Sequence, residues 1–216
     1  MTPTTRTGRF GTLLLMIALA LGLAGFAPAT AAPATAAQAA PAAAQAASAQ
    51  ASSVKIRDAI VWAAASQVGQ RETGTNYYPV RYKISAQIQR PAAWCGVFTN
   101  WAWYAGHATK RPNMAGVGVN QGHFATYWQK WAKANKRWKP IGQRRVARGD
   151  VIVYGSFAQS GHVGVVIDVR INAKGRATAV RTVEGNVRDR VVDTGWRSIN
   201  ALTGRNLRAS GFVSPV

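Results

Sequence analysis

The chain has 216 residues, with 27 Lys and Arg against seven Asp and Glu, a formal charge of +20 and a single cysteine, Cys95. One cysteine excludes an intramolecular disulfide framework, and the few acidic residues lack the D-x-[DN]-x-[DN]-G spacing of a calcium loop, so neither a metal nor a cofactor is expected. The basic residues are scattered along the chain rather than gathered on one element, which with the export signal described next favours an anionic wall polymer or membrane surface over nucleic acid as partner.

Taken in chain order, Arg6 and Arg9 precede an apolar run from Leu13 to Ala27, and small residues around Ala29, Thr30 and Ala31 offer a cleavage site. The run falls short of the roughly 20 apolar residues of a membrane span. This is the pattern of a signal peptide over residues 1–31, and it implies a secreted protein, extracellular or associated with the cell wall. Residues 32–53 are almost wholly Ala, Pro, Gln and Ser, with nothing large to bury, and read as a linker. Residues 54–216 are enough for one domain with its own core.

Within that domain, Ile56, Ala59, Ile60, Ala63, Ala64 and Val68 recur at helical spacing from Lys55, with Ser53 as a cap and Gly69 as a stop. A second helix opens at Cys95, carries Phe98, Trp101, Ala102 and Ala105, and ends at Gly106. A third, from about Gly122, carries Phe124, Tyr127, Trp128, Trp131 and Trp138. After Gly149 the period becomes that of strands, at Val151–Tyr154, His162–Val169 and Ala177–Val183, with a final edge strand at Gly211–Val213. Helices followed by antiparallel strands define an α+β domain, its N-terminal helices packed on an antiparallel sheet.

A cysteine in the first turn of a helix sits beside unsatisfied N–H groups and the positive end of the macrodipole, which favour thiolate over thiol. It needs a base. His107 lies about 18 Å along the helix from Cys95, at 1.5 Å per residue, and His123 reads as a surface or capping residue. His162 opens a strand at the sheet end and can project towards the helical layer. With a turn around Asn172 to Gly175, Glu184 falls almost opposite His162 across an antiparallel pair. Asn186 returns to the same face if the strand stays extended through Gly185. Nucleophile, base and orienting group are then Cys95, His162 and Glu184 or Asn186.

The segments Trp94-Cys95-Gly96-Val97-Phe98, Gly149-Asp150-Val151-Ile152-Val153, Gly161-His162-Val163-Gly164-Val165-Val166 and Val183-Glu184-Gly185-Asn186 resemble, in this order, the motifs of the CHAP family. These are the cysteine- and histidine-dependent amidohydrolase/peptidase domains, more distantly related to NlpC/P60 enzymes. Ala63 to Glu72 and Gly211-Phe212-Val213 extend the likeness over nearly all of 54–216, while Arg148 stands where the family commonly has proline. The resemblance implies a papain-like fold and cleavage of peptidoglycan, as an N-acetylmuramoyl-L-alanine amidase or an endopeptidase, through Cys95, His162, Glu184 and Asn186. A different class of function is a non-catalytic wall-binding module that uses the basic exterior and exposed tryptophans.

Overall fold

The computed structural model describes residues 42–84, 88–114, 124–156 and 161–216, together with the backbone of 36–41. The signal peptide expected over residues 1–31 lies outside the described residues, as do Gly122 and His123. Helix α1 spans Ala36–Ala65 and so begins well before the cap expected at Ser53. Alanine and glutamine are strong helix formers, and a reading based on the absence of buriable side chains passes over that propensity. Residues 42–52 stand exposed on this helix, whereas Ile60, Ala63 and Ala64 enter the core. Among the described residues no helix is long and apolar enough to cross a membrane.

Helix α2 spans Cys95–Ala105, as its pattern predicts, and is buried nearly all round, with Val97, Phe98, Ala102 and Trp103 fully covered. Gly106 ends it and also lets it touch α1, since a Cβ at that position would lie 2.3 Å from Ile60 Cγ1. Helix α3 is shorter than expected, Tyr127–Ala134. Trp138 is a strand residue instead of a helical one. The chain leaves the helix through Lys136 in a left-handed conformation (φ 57°) and pairs Trp138 with Val213 in strand β1, Trp138–Pro140. The aromatic stripe of α3 is core: Trp128 and Trp131 meet Trp103 edge-on, with ring centroids 4.9 and 6.2 Å apart.

The remaining strands are β2 (Val151–Tyr154), β3 (His162–Ile171), β4 (Ala177–Val187), β5 (Arg190–Ser198), β6 (Thr203–Gly204) and β7 (Leu207–Val213). All pairings are antiparallel and the order is β1-β7-β2-β3-β4-β5, with β6 added to β7. The architecture is therefore α+β. The closing stretch is not the edge strand expected of it, because β7 lies between β1 and β2 and the edges are β1 and β5. Both edge strands escape a pattern search. The first is three residues long, and the second, RVVDTGWRS, is only half covered and has no apolar run.

Strand alternation divides the core. Val151, Val153, Val163, Val165 and Val183 join α2 and the aromatic layer in one cluster, while Ile152, Tyr154, Val166, Val180 and Phe212 form a second cluster on the other face. Asp150 ties the layers together at the start of β2: its buried carboxylate pairs with Arg57 of α1 at 2.6 Å and with Lys139 of β1 at 2.9 Å.

Candidate functional site

Cys95 is the first residue of α2, and His162 the first residue of β3. Val163 and Val165 share a cluster with Cys95, so α2 packs along β3 and the imidazole reaches the thiol from the strand end. Burial alone would push the thiol pKa up. The nearby imidazole of His162 and its charge, with the backbone N–H groups of Val163 and Gly96, hold it below its ordinary value. The first-turn amides expected to favour thiolate therefore do so, and β3 adds one more.

Burial would also push the imidazole pKa down, but the interaction with the Cys95 sulfur, the hydrogen bond to Glu184 and the negative charge of both raise it to about 9. His162 Nε2 lies 2.9 Å from Glu184 Oε2. The other ring nitrogen, Nδ1, is buried with no partner in hydrogen-bond geometry among the described residues, which leaves it free to exchange a proton at the Cys95 side. Both states favour an ion pair of thiolate and imidazolium.

The register differs from the expected one in an instructive way. Val165 pairs with Val183 and Val166 with Thr182, so the residue across from Glu184 is Gly164, and His162 lies two residues further along the same face. The carboxylate must lean diagonally across Gly164 to reach the imidazole. Glycine is required there, because a Cβ on Gly164 would fall 2.4 Å from Glu184 Cγ. The register is displaced by two residues from one that sets Glu184 opposite His162, and the side-chain period of two preserves the shared face.

Three further groups hold Glu184, none of them singled out by sequence. Tyr154 Oη and Thr182 Oγ1 each donate to Oε1 at 2.7 Å, and Arg197 Nη2 donates to the same oxygen at 2.5 Å. Burial would raise the Glu184 pKa, but His162, Arg197 and Thr182 bring it down to about 2. The Tyr154 ring also lies on the His162 ring, with centroids 5.7 Å apart. Thr182 was legible by period, two residues before Glu184 on one strand. Tyr154 was legible as the residue that a tight β2–β3 pairing sets against His162. Arg197 had no local signal, since it belongs to the unrecognised edge strand β5.

Asn186 is not on the imidazole. The β4–β5 register shifts between Glu184 and Val187, Asn186 takes a left-handed conformation (φ 59°), and its amide donates to Asn76 Oδ1 at 3.4 Å. The extended chain that was to return it to the His162 face ends at Gly185. That glycine lets β4 lie against α2, since its Cβ would come 2.6 Å from Phe98 Cβ. Asn76 is itself bound through its N–H to Glu72 Oε1, and Glu72 Oε2 accepts from Trp94 Nε1 at 2.6 Å. Asn186 thus belongs to a polar chain that braces the residue before Cys95. His107 is exposed beyond the far end of α2.

A cavity of about 510 Å3 opens beside Cys95, walled mainly by Ala92, Ala93, Phe124, Ala125 and Leu207. Among the described residues, no group of three or more His, Cys, Asp or Glu side chains is arranged to hold a metal ion. What the fold presents is a thiol, an imidazole and a carboxylate in sequence at the edge of a cleft, the class of site found in cysteine-dependent hydrolases. Residues 87–186, the span that carries all three groups and Asn186, match the CHAP domain. CHAP domains are generally amidohydrolases or peptidases, and they point to a family of peptidoglycan hydrolases and amidases. No curated protein and no solved structure matches the chain.

Proposed function

We propose that this protein is a secreted peptidoglycan hydrolase that cleaves amide or peptide bonds with Cys95 as nucleophile. The observation that carries the reading is the chain of contacts from Cys95 through His162 to Glu184, with one imidazole nitrogen 2.9 Å from the carboxylate and the other left for the thiol. Cys95 Sγ, as thiolate, attacks the scissile carbonyl carbon. A backbone N–H at the start of α2 receives the developing oxyanion. The imidazolium gives its Nδ1 proton to the departing amine as the carbon–nitrogen bond breaks. A water then loses a proton to the same nitrogen and attacks the thioester carbon, the carbon–sulfur bond breaks, and the acid product leaves the thiolate and imidazolium as they began. Glu184 keeps the ring oriented and its positive form stable throughout, and Asn186 acts only on the support beneath Trp94.

The order of motifs and the central helix beginning at the nucleophile support a papain-like arrangement, and the leader over residues 1–31 supports export to the cell wall. The basic exterior fits anionic wall polymers, for example at the shallow cavity lined by Arg145, Lys174 and Arg176. Purified wild-type protein should release soluble muropeptides from isolated peptidoglycan, and Cys95→Ala should release none. The masses of the products would separate amidase from endopeptidase cleavage. Wall hydrolysis by the purified Cys95→Ala protein would overturn the mechanism. If instead both proteins bind walls equally and neither cuts them, a wall-binding module is the correct reading.

A further inference from the structure

Among the described residues, the walls of the cavity beside Cys95 carry one charged side chain, Arg205. It stands at the tip of the β6–β7 hairpin, where Gly204 pairs with Leu207 and leaves Arg205 and Asn206 as a two-residue turn. Both turn residues are left-handed, with φ of 49° and 65°. Turns of this kind are ordinarily filled by Asn or Gly, which reach positive φ most easily, so the turn itself has no need of an arginine at its first position. The hairpin is held in place by Gly204, where a Cβ would come 2.7 Å from the Tyr154 ring. The tyrosine that donates to Glu184 thus packs against the hairpin whose tip, Arg205, lines the cleft.

None of the carboxylates among the described residues is paired with Arg205. The chain has seven acidic residues, Asp58, Glu72, Asp150, Asp168, Glu184, Asp189 and Asp193, and all lie among the described residues. Asp58, Asp150, Glu184 and Asp193 are paired with other cations. Glu72 is bound to Asn76 and Trp94, and Asp168 accepts from the backbone of Val169. Among the described residues Arg205 has no hydrogen-bond or ion-pair partner.

We infer that Arg205 binds a free carboxylate carried by the peptide segment that occupies the cavity beside Cys95, and so selects substrates that bear a negative charge close to the scissile bond. The inference rests on the hydrolase reading above and adds to it a substrate feature. A guanidinium meets a carboxylate with two parallel N–H···O bonds. Converting the carboxylate to an amide removes the charge and replaces one acceptor oxygen with an N–H2 donor that faces the guanidinium.

The test compares soluble muropeptides that carry free carboxylates with the same muropeptides after carbodiimide-coupled amidation, using full-length protein as wild type, Arg205→Gln and Arg205→Lys. Wild type should cut the free-carboxylate substrate with kcat/KM roughly 10- to 100-fold higher, mainly through KM, the range expected of a hydrogen-bonded charge contact. Arg205→Gln should lose that preference by falling on the free substrate and holding on the amidated one, and Arg205→Lys should recover part of it. Arg205 is exposed, and an unchanged thermal melt of each variant shows that the fold is intact. Equal cleavage of both substrates by wild type, or a preference that survives Arg205→Gln, overturns the inference and leaves the hydrolase reading standing. A wild-type protein inert on both substrates overturns that reading and this inference together.

Discussion

Replacing Gly164 with alanine tests whether the position of the Glu184 carboxylate, beyond its presence, sustains the site. The added methyl would lie 2.4 Å from Glu184 Cγ, 3.2 Å from Cδ and 3.3 Å from Oε1, where carbon atoms rest at about 3.5–4.0 Å. Something must move by about 1 Å or more. The backbone of β3 is held on one side by Ile152 opposite Gly164 and on the other by the neighbouring Val165–Val183 pair, so the glutamate side chain yields and its 2.9 Å contact with His162 is the bond lost. A displacement of this size costs about 100-fold in kcat, or about 2.7 kcal/mol of transition-state stabilisation. Overpacking adds about 1–3 kcal/mol of lost stability, read as a lower urea midpoint. The assay is muropeptide release at saturating and limiting substrate, together with urea unfolding, and KM should change little. Gly142→Ala serves as control, because a Cβ there meets nothing within 4 Å and both readouts should stay at wild type. If Gly164→Ala keeps kcat within threefold of wild type while folding normally, the diagonal carboxylate is not what orients His162.

With the thiol held below its ordinary value and His162 raised to about 9, kcat/KM should fall on the alkaline side as the imidazolium loses its proton. Glu184→Gln removes the negative charge beside that cation, so the alkaline limb should move to lower pH; an unmoved or higher limb refutes the assignment. Glu184 is depressed from its ordinary 4.5 to about 2, so its contribution to stability is present above the ordinary value and is lost as pH falls towards 2. His162 works in the opposite sense: the stability from its raised pKa is complete below its ordinary 6.5 and is lost as pH rises through about 9. Urea midpoints across pH should show both slopes in wild type, and Glu184→Gln should lose the acid-side one. Asp150→Ala should leave Arg57 and Lys139 without their buried partner and cost about 3 kcal/mol, or about 6–12 °C in Tm. The kcat of the protein that remains folded should be near wild type, and a Tm loss of under 2 °C would sever the proposed link between the layers.

Local pattern carried most of the site. The stop and start signals around α2 placed Cys95 at a helix N-terminus, and β-branched runs located β2, β3 and most of β4. Because side chains alternate along a strand, even a pairing read two residues out of register kept His162 and Glu184 on one face. Where a residue departed from regular geometry, pattern failed. Left-handed Asn186 broke the strand period, and left-handed Lys136 turned Trp138 from helix into strand. Composition failed at the start of α1 for a different reason, since an alanine-rich stretch can be helical without burying anything.

By itself, then, the sequence determined the class of fold, the order of the chemical groups and the candidate nucleophile, because each depends on periods and caps a few residues long. Only the tertiary structure decided that Glu184, and not Asn186, holds the imidazole. It also brought Tyr154, Thr182 and Arg197 onto one carboxylate oxygen and set Arg205 in the cleft beside Cys95. Apart from that of Thr182, which shares β4 with Glu184, those contacts join residues from separate strands, among them an edge strand and a two-residue hairpin, and their distances depend on sheet order, a register shift and the room left by glycines at 164 and 204.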